Sequence, residues 1–301
     1  MSNKLRSALY SVHQLIKQMQ GYSYASKADM KHMINRCMKD LHDLGFKVGH
    51  LNGLKPKHIY ILVILVEHWK KQGKSPATIK NYMSKLCKLA YFLDKPKLVK
   101  TGNDSYQIDK RTYIPTQNKA IHHIDLNLCT DPHIRLSLEA QMLFGLRREE
   151  SMKFVVSEAW HGYCLHIKPS WTKGGIGRLL KITNEEQMKW LLKVSQQIRR
   201  GESLIPAERT YKQHLAQYQQ QAKLMGVCKL HGLRHAYAQR RYTELTKEIA
   251  PLKVGLICPI AGGKTATELN FEEKQIDRQA REIISRELGH SRLNITKTYL
   301  G

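Results

Sequence analysis

Two domains, mainly α-helical with a small β-sheet confined to the second (α+β), are predicted by three features of this 301-residue sequence. Apolar residues recur at helical spacing through the first third, between recognisable caps. Two short alternating segments, YCLHIK at 163–168 and GRLLKIT at 177–183, flank Trp171, Thr172, Lys173, Gly174 and Gly175 as a hairpin would. Residues 102–117 are polar, lack helical period and carry Pro115, as an interdomain linker does. The length suffices for two hydrophobic cores. The expected division is 1–102, a linker at 103–117, and 118–301.

In the first domain, Leu5, Leu9, Val12, Leu15, Ile16 and Met19 share one helix face before Gly21. Ser26 followed by Asp29 reads as a capping box for a second helix, with Met30, Met33, Ile34, Cys37, Met38 and Leu41 on its apolar face and Gly45 as its stop. A third helix is predicted from about Lys57 to Gln72, with its apolar run IYILVILV at 59–66 buried. Ser75 and Pro76 supply an N-cap and a first-turn proline for a fourth, from about Ala77 to Leu93. That helix sets Ile79, Tyr82, Met83, Leu86, Leu89, Ala90 and Leu93 on one side. Lys80, Asn81, Ser84, Lys85 and Lys88 lie on another, a solvated face that also fits a DNA groove.

The second domain opens helical and then forms the hairpin, with Lys173 near its tip. Thr183 and Glu186 read as a capping box for the next helix, and helical patterns continue over 208–226, 231–246 and 277–288.

Fifty Lys+Arg against 25 Asp+Glu give a formal charge of +25, the footprint of a polyanion binder. Residues 1–110 hold 20 basic against 7 acidic side chains, and 111–301 hold 30 against 18, so both domains are expected to meet the same polyanion. The run at 59–66 is too short to span a membrane, and the first 25 residues lack the apolar stretch of a signal peptide, so a cytoplasmic protein is expected. Cys37, Cys87, Cys129, Cys164, Cys228 and Cys258 are widely spaced without a CxxC pair and read as reduced core thiols.

Five fragments follow one another in the second domain: GLRREE at 145–150, TKGG at 172–175, HGLRH at 231–235, LGH at 288–290, and Tyr299. Singly, each has a plain structural reading. Arg147 and Glu150 can pair on a helix surface, and a tyrosine near a chain end commonly packs. His231 and His235 are spaced for a shared metal, but the glutamate of HExxH and a third ligand are missing, so no metal is expected. Gly262, Gly263, Lys264 and Thr265 end like the phosphate loop of nucleotide hydrolases. The glycine required five residues before Gly263 is Cys258, so this segment reads as a flexible turn.

Together and in this order, the fragments resemble the catalytic signature of the tyrosine recombinases, which include phage-type integrases and chromosome-dimer resolvases. The resemblance runs from about Ala140 to Tyr299. It implies a helical SAM-like core-binding domain followed by a tyrosine-recombinase catalytic domain. It implies catalytic roles for Arg147, Lys173, His231, Arg234, His290 and Tyr299, with Glu150 and His235 in support. Planar guanidiniums suit the non-bridging oxygens of a phosphorane-like transition state, where each can donate two hydrogen bonds. Neutral Tyr299 needs a proton acceptor, which by resemblance is His231. Lys173 would protonate the leaving 5′ oxygen, and His290 would hydrogen-bond a non-bridging one. A 3′-phosphotyrosyl bond conserves the energy for rejoining, so no ATP, metal or other cofactor is called for.

The implied function is integration and excision of a mobile element, by a homo-tetramer on two double-stranded DNA recombination sites through a Holliday junction, in the bacterial cytosol or nucleoid. An accessory DNA-bending or directionality protein is an expected partner. A chromosome-dimer resolvase, an integron-type recombinase or a type IB topoisomerase-like enzyme would share the pocket. From a different class, a DNA-binding protein with a decayed catalytic domain would keep the charge without needing all six residues. Arg148, Arg240 and Arg241 are expected to be phosphate contacts or solvent-facing charge. Two features depart from the family. Arg234 and His290 stand 56 residues apart, farther than in relatives, which implies an insertion at about 247–274. Only Leu300 and Gly301 follow Tyr299, where relatives carry a segment that packs on a neighbouring subunit.

Overall fold

Residues 2–54, 59–100, 102, 104–110, 114–249 and 254–301 are described in the computed structural model. Its two units are Met1–Thr112 and Tyr113–Gly301. Lys57, residues 103 and 111–113 of the expected linker, and residues 250–253 of the expected insertion lie outside the described residues.

In the first unit, serine hydroxyls satisfy the otherwise orphan N–H groups at helix starts. Ser2 caps α1 (Asn3–Gln18), Ser23 caps α2 (Tyr24–Asp43), and Ser75, followed by Pro76, caps α4 (Pro76–Phe92). α3 spans Ile59–Lys71. α2 therefore starts earlier than Ser26 and Asp29 indicate, because Ser23 Oγ accepts the Ser26 N–H at 3.2 Å and draws Tyr24 into the first turn. The apolar faces of the four helices meet in one core that includes Val12, Ile34, Leu65, Trp69, Ile79 and Leu89. Within it, Trp69 Nε1 donates to Asp40 Oδ2 at 2.8 Å, and the same carboxylate accepts from Arg36 at 3.0 Å.

Residues 61–66 of the 59–66 run are less buried than predicted. Ile61, Leu65 and Val66 point inward, whereas Val63 and Ile64 are 41% and 38% exposed, since a continuous run covers more of a helix than its inward face. On α4, Asn81, Ser84 and Lys88 are exposed and Lys80 is half-buried. Lys85 departs from the expected groove-facing set, because its ammonium is held 2.6 Å from Asp29 and little of its side chain is exposed.

The second unit is built around α5 (Pro132–Phe144), which divides two apolar clusters. Leu136, Ala140 and Phe144 face the sheet side, and Ile134 and Leu138 face the other. After α6 (Arg148–Met152) and α7 (Val156–Ala159) come strands β1 (Trp160–His161), β2 (Cys164–Ile167) and β3 (Arg178–Lys181). They form an antiparallel sheet in the order β1-β2-β3, with Leu165 opposite Leu180. The two-residue β1 was not predicted, being too short to show alternation. α8 (Glu185–Gln197) is capped by Asn184, whose side chain accepts from the Gln187 N–H, rather than by Thr183. Gln187 reaches back to Thr183 instead.

Thr210 and Gln213 form a capping box for α9 (Tyr211–Leu224). α10 (Gly232–Ile249), α11 (Phe271–Glu287) and α12 (Lys297–Leu300) complete the unit. α11 starts before residue 277 because Asn270 and Glu273 cap one another. The ends of the expected insertion are therefore helical. Its described middle is a hydrogen-bonded turn: Gly263 N–H donates to Cys258 O at 3.1 Å, and Lys264 pairs with Glu273 at 2.6 Å. The segment packs back on α10, where Thr243 Oγ1 donates to Leu256 O at 3.0 Å.

Cys228 is exposed, so it is not a core thiol, and the six cysteines are free. Among the described residues, no helix is long and apolar enough to cross a membrane.

Trp69→Phe leaves Asp40 buried without its indole donor. This is expected to cost about 1–3 kcal/mol in the urea unfolding of the first unit, followed by circular dichroism.

Candidate active site

α5 ends at Gly145, whose φ of +61° terminates the helix in the left-handed conformation. A Cβ built there would lie 2.4 Å from Tyr237 Cδ1, so the glycine lets α10 pack against the turn. The chain then buries Leu146 and presents Arg147 to an open cleft of about 1100 Å³. Arg147, Arg148, Glu150, Lys173, His231 and Tyr299 all line this cleft.

Arg234, on the first turn of α10, is 1% exposed. Its guanidinium donates to the carbonyls of Gly145 and Leu288, the residues that cap the C-terminal ends of α5 and α11. Helix C-termini carry unpaired carbonyls and partial negative charge, so two of them converging here solvate a buried cation. Two longer contacts, both 3.4 Å, reach the Tyr299 hydroxyl from Nε and His290 Nε2 from Nη2. Burial lowers the Arg234 pKa to about 10, against the opposing attraction of Tyr299, and the guanidinium stays charged at neutral pH.

Glu150, 1% exposed, accepts four hydrogen bonds. Oε1 takes Arg147 Nη1 at 2.7 Å and Arg178 Nη1 at 3.0 Å, while Oε2 takes the Arg147 backbone N–H and Arg178 Nη2, both at 2.8 Å. Burial pushes this carboxyl upward, but the hydrogen bonds and charge of Arg178, with Arg234 and the Arg147 N–H, outweigh it and hold the pKa at about 2. Glu150 is thus an ionised acceptor that fixes Arg147.

Tyr299, 5% exposed, sits in the cleft of its own chain amid three imidazoles. Its ring centroid is 4.6 Å from His235, 5.6 Å from His290 and 6.0 Å from His231. The last helical turn is tied down by Gln239 Nε2, which donates to Tyr299 O at 3.2 Å, and by Arg281 Nη1, which donates to the Gly301 backbone oxygen at 3.0 Å. Leu300 is fully buried, and Gly301 lies against Pro259 and Ile260 of the 254–270 segment. The histidines are all pushed toward neutrality. Desolvation and then the Arg234 charge lower His290 to about 3, desolvation and then His231 lower His235 to about 4, and desolvation, Arg234 and Arg147 lower His231. No three His, Cys, Asp or Glu side chains gather as a metal site among the described residues.

Lys173 is exposed on the β2–β3 connection, where Gly174 and Gly175 take φ of +95° and +68°. Arg148 is exposed beside it in the cleft lining. Arg240 is exposed but donates to Met142 O at 2.8 Å. Arg241 does not fit a phosphate contact: it is 5% exposed and bonded to Glu287 at 3.2 Å and Glu248 at 3.1 Å, so its charge is spent inside the fold. Sequence reasoning missed Arg178. The available signal was strand period, which places it on the same inward face of β3 as buried Leu180, while Leu179 is 68% exposed.

Residues 5–98 match the family model for the N-terminal domain of phage integrases, and residues 110–240 match the integrase model. No curated protein sequence matches. Among solved structures, the chain is similar to a lambda integrase dimer bound to a COC′ core site (14% identity, TM-score 0.55, covering 97% of this chain and 94% of that one). It is also similar to XerH recombinase bound to its difH substrate (17%, 0.54, 98% and 81%). A third is the Tn1549 transposon integrase with circular intermediate DNA (13%, 0.52, 97% and 94%).

Two outcomes follow from the geometry. Gly145→Ala forces a Cβ into Tyr237 at positive φ and is expected to cost about 2 kcal/mol or more, read as a lower urea midpoint. The lowered pKa values of His231, His235, His290 and buried His214 mean that the unfolded chain binds more protons below pH 6.5. Stability contributed by these groups is complete above 6.5 and falls as pH drops toward 3–4. Urea midpoints measured across that range should decline, and a flat profile would contradict neutral burial.

Proposed function

The chain belongs to the tyrosine recombinases, the phage-type integrase family, and from that premise we propose that it cuts and rejoins DNA through a covalent bond to Tyr299. The observation that carries this reading is the convergence of Tyr299 with Arg234, His231 and His290 beside a cleft that Tyr299, His231, Arg147 and Lys173 line.

In this mechanism the Tyr299 oxygen attacks the scissile phosphorus, the P–O5′ bond breaks, and a 3′-phosphotyrosyl bond and a free 5′-hydroxyl result. Arg147 and Arg234 hold the non-bridging oxygens and offset the charge that accumulates on them. The two 3.4 Å contacts of Arg234 are the ones a phosphate oxygen would displace, because they are weak as hydrogen bonds. His231 accepts the tyrosine proton, and its lowered pKa keeps it unprotonated and ready at neutral pH. Lys173, on a glycine-rich loop free to approach DNA, delivers a proton to the 5′ oxygen. His290 donates to a non-bridging oxygen, and His235 packs on the Tyr299 ring. Two guanidiniums and a lysine supply the charge stabilisation, so the chemistry calls for neither ATP nor a metal.

The physiological reaction is integration and excision of a mobile element, by four protomers on two DNA sites with a Holliday junction between two rounds of exchange. The lambda integrase and Tn1549 integrase likenesses favour this role, and that to XerH keeps resolution of chromosome dimers as the second reading.

Nicked duplexes drawn from a randomised pool by retention on the protein should yield a covalent adduct that survives denaturing electrophoresis. Tyr299→Phe should yield none, and an equal yield would remove Tyr299 from the chemistry. In the first unit, Lys80→Ala with Lys88→Ala should reduce the slope of log affinity against log salt by about two. Lys85→Ala alone should leave that slope near the parent value, since Asp29 already neutralises its charge.

A further inference from the structure

Arg178 opens β3 five residues after Lys173, and its side chain is only 6% exposed. Besides gripping both oxygens of Glu150, it donates from Nε to the Glu287 carbonyl at 2.7 Å. It also runs under Gly289, where a Cβ would fall 3.1 Å from Arg178 Cδ and 3.2 Å from Nη1. One guanidinium therefore touches the carboxylate that fixes Arg147 and the chain just before His290, from the strand that follows the Lys173 loop.

We propose that Arg178 is a positioning residue for strand cleavage, one that limits the hold of Glu150 on Arg147 and so keeps Arg147 available to the scissile phosphate. The proposal rests on the DNA-cleaving reading of the cleft. Each Glu150 oxygen has room for two donors, and Arg178 fills one place on each. That leaves Arg147 a single side-chain bond to the carboxylate, through Nη1, plus its backbone N–H. Its Nη2 reaches Gly289 O only at 3.4 Å, a contact that a phosphate oxygen would replace.

Remove the Arg178 fork, and a buried carboxylate with two unfilled acceptor sites remains bonded to one cation. The geometry that then satisfies it is a bidentate Arg147–Glu150 pair. In that pair both donor arms of Arg147 are spent on the fold and turned from the cleft. Lysine cannot substitute, since a point donor spans one oxygen and not both. The strongly lowered Glu150 pKa agrees with this arrangement, with the Arg178 bonds the largest cause opposing burial.

The test compares wild type, Arg178→Lys, Glu150→Gln and the double variant in single-turnover adduct formation on retained nicked duplexes, with DNA affinity and thermal melting measured on each. Arg178→Lys is expected to slow adduct formation about tenfold or more while leaving affinity within about twofold. Its pH–rate profile should gain an acid limb at higher pH than wild type, as Glu150 begins to titrate. The double variant should be no slower than Glu150→Gln alone, because the grip that Arg178 restrains is then already gone.

An Arg178→Lys protein that cleaves at the wild-type rate overturns the inference and leaves the recombinase reading standing. So does a loss that tracks melting temperature with an unmoved pH profile, or one that adds in full to Glu150→Gln. If wild type itself forms no adduct, the recombinase reading fails and the inference falls with it.

Discussion

The buried guanidinium of Arg234 is the interaction on which the second unit is organised. Taking that cation out of water costs several kcal/mol, and the fold offsets the cost with groups it must satisfy in any case. The terminal carbonyls of α5 and α11 lack partners within their own helices, and both are aimed at Arg234. The first turn of α10, the end of α5 and the end of α11 are thereby fixed at one point. Arg147 follows directly after the end of α5, and His290 directly after the end of α11. The same residue that holds the backbone thus sets the spacing of the cleft.

Positive charge placed this way shifts Glu150 and the neighbouring imidazoles. Arg147, Arg178 and Arg234 surround one buried carboxylate, so the base of the cleft keeps a surplus of cation. Glu150 stays ionised, half-buried His290 is pushed well toward the neutral form by desolvation and by that surplus, and exposed His231 is shifted in the same direction, with the Arg234 and Arg147 charges contributing. A pocket of this kind attracts a phosphodiester while leaving neutral bases beside a phenol. Affinity for an anion and readiness to accept a proton come from the same arrangement.

Much of this was legible in the sequence, for reasons that differ between elements. The helices of the first unit announce themselves through period and caps, and Ser75 with Pro76 marks the cap of α4, whose bounds fall one residue earlier than expected at each end. The ordered fragments point to the cleft residues because five of them in one order are far more specific than any one alone. Starts of helices were less legible where two caps compete, as with Ser23 against Ser26 and Asn184 against Thr183. Charged residues whose partners lie far along the chain were least legible. Arg241 looks like a surface cation until Glu287 is seen beside it, 46 residues away in sequence. Arg178 looks like an ordinary strand residue until Glu150 and the end of α11 close on it.

The anchoring of α12 bears on how Tyr299 can move. Its single turn is held by hydrogen bonds from α10 and α11, by full burial of Leu300 and by the fit of Gly301 against the 254–270 segment. These restraints come from three different parts of the unit, so they cannot be lost one residue at a time as in a fraying helix end. Undocking Tyr299 would require these restraints to be released together, as a local unfolding step with its own free energy. The fraction of molecules with Tyr299 docked at any instant is then an equilibrium property of that one turn, adjustable by changes at Gln239, Arg281 or Pro259 that leave the cleft-lining side chains untouched.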